Sequence, residues 1–308
     1  MSPPQPRRPA PRRRQPPQRQ VSGRLLATAA AALAALVVVV VAGLLLRDGG
    51  DEASAAGLPR TPDYHSLLVA PDDEDVLVLG THDGLFRSTD GGRSWQPAEL
   101  RGNDAMNLAR ADGATLWAAG HEVLARSTDG GVTWEDVRPA GLPGLDVHAF
   151  AVDPRDGQRL LAAAGGRGLY RWPDRRASFA LVSDAVGPAV YALALLRDGT
   201  LLAADAERGA VLSSRDGGRS WAAAVEGRVL GLAANPARPR LVLASGPGAL
   251  VSRDGGRSWR RTLSLEAGTG PAAWAPSAPS VGYVVGLDGS LWRTDDAGRT
   301  WQPVVSAS

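Results

Sequence analysis

Four histidines and one internal methionine are the side chains of this 308-residue sequence whose chemistry stands out. Imidazole nitrogens and a thioether sulfur are intermediate to soft ligands, and a set that contains both suits copper or zinc better than calcium or magnesium. Such a site requires a fold that brings the five side chains together. The candidate metal ligands are His65, His82, Met106, His121 and His148.

Three aspartates share a spacing, because each stands two residues before a candidate metal ligand. As hydrogen-bond acceptors they could orient imidazoles that bind a metal. As a pair they could cleave a glycosidic bond, which needs carboxyl groups about 5 Å apart for retention or roughly 6.5–9.5 Å apart for inversion. These candidate catalytic residues are Asp63, Asp104 and Asp146, and the further acids beside two of the histidines are Asp83 and Glu122.

An eight-residue box that recurs along the chain indicates how such distant residues can meet. The first copy is "STDGGRSW", and the intact or nearly intact copies occupy 88–95, 127–134, 214–221, 252–259 and 294–301. A degenerate copy, "WPDRRASF" at Trp172–Phe179, lies in the one gap of double length and keeps Asp174 and a terminal aromatic residue. The six aspartates are 38 to 45 residues apart, so the sequence divides into six units.

Each unit contains four short apolar stretches separated by glycine-rich turns. Four short strands in a repeat of about 40–45 residues are typical of one blade of a β-propeller. The sequence therefore predicts an all-β, six-bladed β-propeller over residues 60–308, and a seven-bladed propeller with one undetected unit is the alternative. Because the last unit ends in its own fourth stretch, "WQPVV", the ring should close without a strand from the N-terminus.

The box has a mechanical explanation. Its serine and aspartate side chains can accept backbone N–H bonds within the turn, its glycines permit positive φ, and its tryptophan can pack into the core. We expect Trp221→Ala to destabilise the protein by roughly 3–5 kcal/mol, and Phe179→Ala in the degenerate box by less. The predicted structural residues are Asp90, Asp129, Asp216, Asp254, Asp296, Trp95, Trp134, Trp221, Trp259 and Trp301.

Alignment of the six units places the candidate metal ligands on the face opposite the boxes. His82 and His121 both stand six residues before a box serine, in the turn between the second and third strands of their blades. The other three ligands share one position in the first strands of blades 1 to 3, and Tyr191, a candidate ligand-binding residue, takes that position in blade 4. We expect at least three of the five ligand atoms to lie within about 5 Å of a common point.

The boxes resemble the Asp-box, or bacterial neuraminidase repeat (BNR), of β-propellers, and the resemblance covers residues 60–308. That superfamily includes sialidases, xyloglucan-cleaving glycosidases, sortilin-type receptors and a photosystem II assembly factor, and its box is a structural turn away from the ligand-binding face. The "DxH", "THxGL" and "GH" segments are similar to those of exported bacterial propellers of the glycosyl-hydrolase-like or sortilin-like type. This resemblance implies a fold and a functional face, but it does not imply one activity.

Sialidase activity is disfavoured, because the Arg-Ile-Pro motif that opens those enzymes is missing and "YRWP" at Tyr170–Pro173 falls in the degenerate box. Another type of glycosidase stays open as the alternative function, since the carboxylates are available. Five of the nine tryptophans lie in boxes, so few aromatic platforms are left for a sugar. The sequence leaves enzymatic activity undecided.

The N-terminal region predicts a membrane anchor. Residues 1–24 combine proline with arginine and indicate a disordered tail. The uncharged stretch 25–46 would form a helix about 33 Å long, enough to cross the roughly 30 Å hydrocarbon core. Seven arginines precede it, so the tail should be cytoplasmic, with residues 47–59 as a linker to an extracytoplasmic propeller. A cleaved signal peptide ending at "ASA", Ala53–Ala55, is the alternative.

Charge argues against a nucleic-acid partner. The pI near 9.5 comes from eight arginines in residues 1–47, whereas the rest of the chain carries 26 arginines against 32 acidic residues. The sequence therefore predicts a single-pass cell-membrane protein whose propeller binds a metal such as copper or zinc, or a protein, glycan or small-molecule partner, on its histidine-bearing face.

Overall fold

The computed structural model describes residues 55–100, 103–164, 166–173, 178–187 and 189–307. These residues form 25 strands in six antiparallel sheets, five of four strands and one of five. Each sheet is one unit of the sequence repeat, which confirms the all-β, six-bladed propeller. The described ranges contain no seventh blade.

The strands of blades 1 to 3 follow one another along the chain. Blade 1 contains β2 (Tyr64–Val69), β3 (Leu77–Thr81), β4 (Gly84–Ser88) and β5 (Ser94–Pro97), with β1 (Ala55–Ala56) paired to β5 at its edge. Blade 2 contains β6 (Asn107–Arg110), β7 (Leu116–Ala119), β8 (Leu124–Ser127) and β9 (Glu135–Asp136). Blade 3 contains β10 (Val147–Asp153), β11 (Asp156–Ala164), β12 (Leu169–Trp172) and β13 (Ala180–Ser183).

Blades 4 to 6 repeat the same order. Blade 4 contains β14 (Val190–Leu195), β15 (Leu201–Asp205), β16 (Ala210–Ser214) and β17 (Ala222–Glu226). Blade 5 contains β18 (Gly231–Ala234), β19 (Val242–Ser245), β20 (Ala249–Ser252) and β21 (Arg260–Leu263). Blade 6 contains β22 (Thr269–Trp274), β23 (Gly282–Gly286), β24 (Leu291–Thr294) and β25 (Gln302–Val305).

The core consists of apolar clusters between neighbouring blades. Strands β3 and β19 are buried along their whole length, because both faces of each sheet are covered. In the cluster between blades 1 and 6, Leu77 and Leu79 pack with Tyr283. Similar clusters join the other neighbouring blades, so burial of apolar surface holds the ring together.

The ring closes between blades 6 and 1 without exchange of a strand, as the sequence predicts. Arg293 Nη1 lies 2.7 Å from Asp75 Oδ1 across this junction, and the Tyr283 hydroxyl donates to the Glu74 carbonyl at 3.0 Å. Burial is the largest influence on Tyr283 and raises its pKa to about 12, so the hydroxyl remains a donor at neutral pH.

Hydrogen bonds within each box stabilise its turn. In the blade 4 box the Ser214 hydroxyl donates to Asp216 Oδ1 at 2.8 Å and accepts the Gly218 N–H at 2.9 Å. The Trp221 indole N–H donates to the Gly218 carbonyl at 3.0 Å. In each of the other four boxes the serine or threonine hydroxyl likewise donates to the box aspartate and accepts the N–H of a box glycine.

The box aromatics differ in how deeply they pack. Trp95 is buried, whereas Trp221 and the other three box tryptophans are partly exposed at the edge of the core. In the degenerate third box Phe179 is only 3 % exposed, and its ring centroid lies 5.2 Å from that of Trp172. The aspartate of that box, Asp174, lies outside the described residues.

Within the described part of the chain, no helix has the length and apolar character needed to span a membrane. The predicted tail at 1–24, the predicted span at 25–46 and most of the linker at 47–59 lie outside that part.

Candidate metal centre

Three of the predicted site residues stand at β-bulges in the first strands of their blades. In blade 1 the pairing shifts between Tyr64 and Ser66, which makes His65 the extra residue. His148 in β10 and Tyr191 in β14 take the same place. A bulge changes the direction of a side chain without ending the strand. The same backbone irregularity therefore orients one candidate site residue in each of three blades.

Two other histidines lie in turns, as the alignment indicates. His82 occupies the turn between β3 and β4, where the Thr81 hydroxyl accepts the N–H of Asp83 at 3.1 Å. His121 occupies the turn between β7 and β8, and its backbone forms an isolated bridge with Asp146 of the next blade. The side chains of His82 and His121 are 58 % and 50 % exposed, so both imidazoles are accessible from solvent.

Asp104 lies at the centre of these histidines. It precedes β6, in a segment whose backbone is hydrogen-bonded to blade 1, and its side chain is only 11 % exposed. Its Oδ1 lies 3.1 Å from His65 Nε2. Its Oδ2 lies 2.8 Å from His121 Nδ1 and 3.5 Å from His82 Nδ1. One carboxylate therefore contacts three imidazoles from two blades.

Asp146 extends the same arrangement into blade 3. Its Oδ1 lies 3.1 Å from His121 Nε2 and 3.0 Å from His148 Nε2. The His148 ring stacks on Tyr191, with centroids 5.8 Å apart and planes inclined by 9°. A continuous row of imidazoles and carboxylates thus crosses blades 1 to 3, and Tyr191 of blade 4 forms its end. We call the surface formed by the four histidines and these two aspartates the histidine face.

Two atoms of this row are buried without a hydrogen bond. His65 Nε2 and Asp104 Oδ1 are 3.1 Å apart, yet their angles do not fit a hydrogen bond, and the described residues supply neither atom with another partner. A buried polar atom that lacks a partner costs free energy. A cation between two lone-pair-bearing atoms would satisfy both.

His65 is also disposed to be neutral. Burial, its largest influence, lowers the pKa of His65, and the nearby His82 and His121 act in the same direction. The charges of Asp104 and Asp63 oppose this shift without reversing it. A neutral imidazole offers the lone pair that a metal ligand requires.

The histidine face contains two groups of three ligand atoms, each group lying within 4.8 Å of one another. Two histidines and one carboxylate in each group resemble the ligand set of zinc sites that keep a position open for water or substrate. The histidines are therefore divided between two groups instead of forming one. The first group is His65, His82 and Asp104, and the second is His121, Asp146 and His148.

The remaining predicted site residues lie beside these groups. Met106 is half-buried just before β6, and either group reaches three ligands without its thioether. Asp63 is exposed and influences His65 through its charge. Asp83 and Glu122 are exposed on the turns that carry His82 and His121.

The sequence predicts Asp104 and Asp146 as acceptors that could orient the histidines, whereas the structure places an oxygen of each among the candidate ligand atoms themselves. A signal for Asp146 was present, because it stands only two residues before His148 in the sequence. Asp104 contacts His65 and His82 of blade 1. The spacing of residues within blade 2 does not indicate contacts with another blade.

The fold and the boxes define an Asp-box propeller. The chain belongs to the family described as photosynthesis system II assembly factor YCF48, which matches residues 63–308. Among curated proteins no relative matches the chain.

Solved structures similar to this chain include enzymes and assembly factors. A GH74 xyloglucanase from Xanthomonas campestris is 21 % identical with a TM-score of 0.56, over 82 % of this chain and 46 % of the enzyme. YCF48 bound to D1 peptide is 19 % identical with a TM-score of 0.52, over 82 % of this chain and 85 % of that protein. YCF48 from Cyanidioschyzon merolae is 17 % identical with a TM-score of 0.52, over 82 % and 90 %.

At these identities the likeness shows the fold alone. The chain spans about half the length of the GH74 enzymes that it matches, since it covers 46 % of the Niastella koreensis enzyme as well.

Proposed function

We propose that this protein is a membrane-anchored, extracytoplasmic binding propeller that holds a transition-metal ion on its histidine face. The observation that carries the proposal is the buried pair His65 Nε2 and Asp104 Oδ1, which face each other at 3.1 Å without a hydrogen bond. A metal ion would satisfy both atoms, and the nearby imidazoles would complete its coordination.

Zinc is the ion that best fits the donors, because imidazole and carboxylate together are a common zinc ligand set in proteins. Copper remains the competitor, since it binds a given nitrogen and oxygen site more tightly than other divalent metals of the first row. Both ions therefore belong in the experiment.

A protein partner is the second candidate ligand. It is favoured by the family and by a relative solved as YCF48 bound to D1 peptide. Exposed edges of His82 and His121 leave room for a group from outside. A carboxylate or imidazole of a partner could fill the open position of a three-ligand metal site.

Glycoside hydrolysis has weaker support. Asp104 and Asp146 contact opposite nitrogens of the His121 ring, at 2.8 Å and 3.1 Å. The imidazole thus occupies the space between the two carboxylates, where a glycosidase needs its sugar or its water. Hydrogen bonding to histidine also leaves neither carboxylate free to act alone.

Metal binding is tested with the full-length protein in detergent, purified through a tag that contains no histidine. After removal of metal by chelation, zinc and copper are titrated separately by calorimetry. We expect tight binding by the wild type and loss of binding by the double variant His82→Ala, His121→Ala. The matched control is Asp83→Ala, Glu122→Ala, which alters the neighbouring residue of each turn and should bind normally. Equal binding by both double variants, or no binding by the wild type, would overturn the metal proposal.

The membrane anchor rests on residues 25–46 and the preceding arginines. Protease added to intact cells should digest the propeller and leave the arginine-rich tail protected. A membrane-free propeller with a new N-terminus near Ala56 would instead establish a cleaved signal peptide.

A further inference from the structure

We infer that the histidine face binds two metal ions, and that the two sites are linked through the hydrogen bond between His121 and Asp104. This inference rests on the proposed metal-binding function and deepens it. The His121 imidazole, a member of the second ligand group, contacts a carboxylate of each group.

The first site draws its ligands from blades 1 and 2. His65 and His82 reach it from the first strand and from the β3–β4 turn of blade 1, and Asp104 reaches it from the start of blade 2. The two imidazoles are edge to face with centroids 6.4 Å apart, and a nitrogen of each lies within 4.8 Å of the other and of an Asp104 oxygen.

The second site draws its ligands from blades 2 and 3. His121 contributes Nε2 from the β7–β8 turn, while Asp146 and His148 come from the start of blade 3. The rings of His121 and His148 are also edge to face, with centroids 5.6 Å apart. Each site therefore lies at a different junction between blades.

His121 connects the two sites because its two nitrogens face different carboxylates. Nε2 faces Asp146 in the second site, whereas Nδ1 is 2.8 Å from Oδ2 of Asp104, a ligand of the first site. A carboxylate that accepts the other ring N–H of a metal-bound histidine fixes its tautomer and increases its basicity. Asp104 thus serves as a ligand for one ion and as a positioning residue for the other.

The number of ions is measured on the full-length protein in detergent, again without a histidine tag. Chelated protein is saturated with zinc, freed of excess ion, and analysed for zinc and protein. We expect two zinc ions per chain in the wild type. His82→Ala should remove the ion of the first site and leave one, and His148→Ala should remove the ion of the second site and leave one.

The link between the sites is measured by comparing Asp104→Asn with His82→Ala. Both variants lose the first ion, but only Asp104→Asn also replaces the carboxylate that faces His121 Nδ1 with a neutral, weaker amide acceptor. We expect zinc at the second site to bind about 10–100-fold more weakly in Asp104→Asn than in His82→Ala, which is the usual effect of changing such a carboxylate partner of a ligating histidine. Circular dichroism of each variant checks that the propeller is folded, and Asp83→Asn is the control for a lost charge.

The outcomes separate this inference from the proposed function. One zinc ion per wild-type chain would overturn the two-site inference and leave metal binding intact, whereas no zinc would overturn both. Two ions with equal second-site affinity in Asp104→Asn and His82→Ala would overturn the link. Two ions with the expected weakening would support the inference in full.

Discussion

The two faces of the propeller use polar side chains in opposite ways. On the box face, the aspartate side chain of each intact box is hydrogen-bonded within its own eight residues, as when Asp216 accepts both the N–H and the hydroxyl of Ser220. On the histidine face, Asp104 meets His65 and His82, which belong to another blade. Polar side chains that are hydrogen-bonded within their own turn, in a pattern repeated around the ring, indicate a structural role. Polar side chains that converge from several blades indicate a candidate functional site.

The same turn position shows the contrast within one face. Blades 1 and 2 have His82 and His121 six residues before the box, and blade 6 has Asp288 there. Asp288 accepts both the N–H and the hydroxyl of Ser290, at 3.0 and 2.6 Å, so it is satisfied within its own turn. Among the described residues, the two groups of converging histidines and aspartates lie in blades 1 to 3.

The largest effects should come from the aromatics that support the boxes. The sequence predicts a greater loss for Trp221→Ala than for Phe179→Ala, but burial in the structure reverses our expectation. Phe179 is 3 % exposed and packs on Trp172, so Phe179→Ala should lower the free energy of unfolding by about 3–5 kcal/mol. Trp221 is partly exposed, so Trp221→Ala should cost less.

Urea unfolding of the full-length protein in detergent measures this order, with Trp95→Ala as the fully buried reference. A loss for Trp221→Ala that exceeds the loss for Phe179→Ala would restore the sequence-based order. It would mean that the hydrogen bonds of an intact box turn contribute more to the free energy of unfolding than the depth at which the box aromatic is buried.

Much of the fold could be predicted because its signals are local and repeated. Each box contains its own hydrogen-bonding partners, so "SRDGGRSW" carries the turn that ends at Trp221. The depth at which each box aromatic packs was not predictable, since it depends on residues of a neighbouring blade. Phe179, in the most degenerate box, is therefore more buried than Trp221 in an intact one.

The sequence predicted which face of the propeller carries the histidines, but not how they are arranged on it. Equivalent positions in the repeat placed the histidines together, and the bulges at His65 and His148 explain why. The division into two groups and the central place of Asp104 depend on side-chain directions across blade junctions. Sequence spacing does not encode those directions, so the sequence could not divide the candidate ligands between two groups.

A smaller loss should follow removal of one box hydroxyl. Ser214 is 2 % exposed, and its hydroxyl both donates to Asp216 and accepts the Gly218 N–H. Ser214→Ala leaves that buried N–H without its partner, which should cost about 1–3 kcal/mol. Zinc binding should be unchanged, because the proposed metal site lies on the other face. A weaker affinity for zinc in Ser214→Ala would show that the two faces are not independent.

Acid should weaken the box face through its carboxylates. Burial acts to raise the pKa of Asp90, but hydrogen bonds from Ser94 and Ser88 outweigh it and lower the pKa to about 2. The pKa of Asp254 is likewise about 2. An unfolded aspartate has a pKa of about 3.9, so the folded protein binds fewer protons than the unfolded protein between these values. The stabilisation is therefore complete above about pH 4 and is lost as the pH falls toward 2.

Urea unfolding of the full-length protein between pH 5 and pH 2.5 measures this dependence. Asp90→Asn should be less stable at pH 5 and should lose less stability on acidification than the wild type. Glu266→Gln, which alters an exposed carboxyl outside the boxes, is the control. Identical acid dependence in Asp90→Asn and the wild type would exclude this box as a source of the pH effect.

The smallest effect on stability should come from the histidine face itself. The side chains of His82 and His121 are about half exposed, and water can solvate Asp104 once the two imidazoles are gone. In metal-free protein the double variant His82→Ala, His121→Ala should change the free energy of unfolding by no more than about 0.5 kcal/mol. Saturating zinc should stabilise the wild type, because a ligand that binds only the folded state raises its stability, and should leave the double variant unchanged. A loss above about 1.5 kcal/mol without metal would make the histidine face a structural element like the boxes, and the contrast between the two faces would fail.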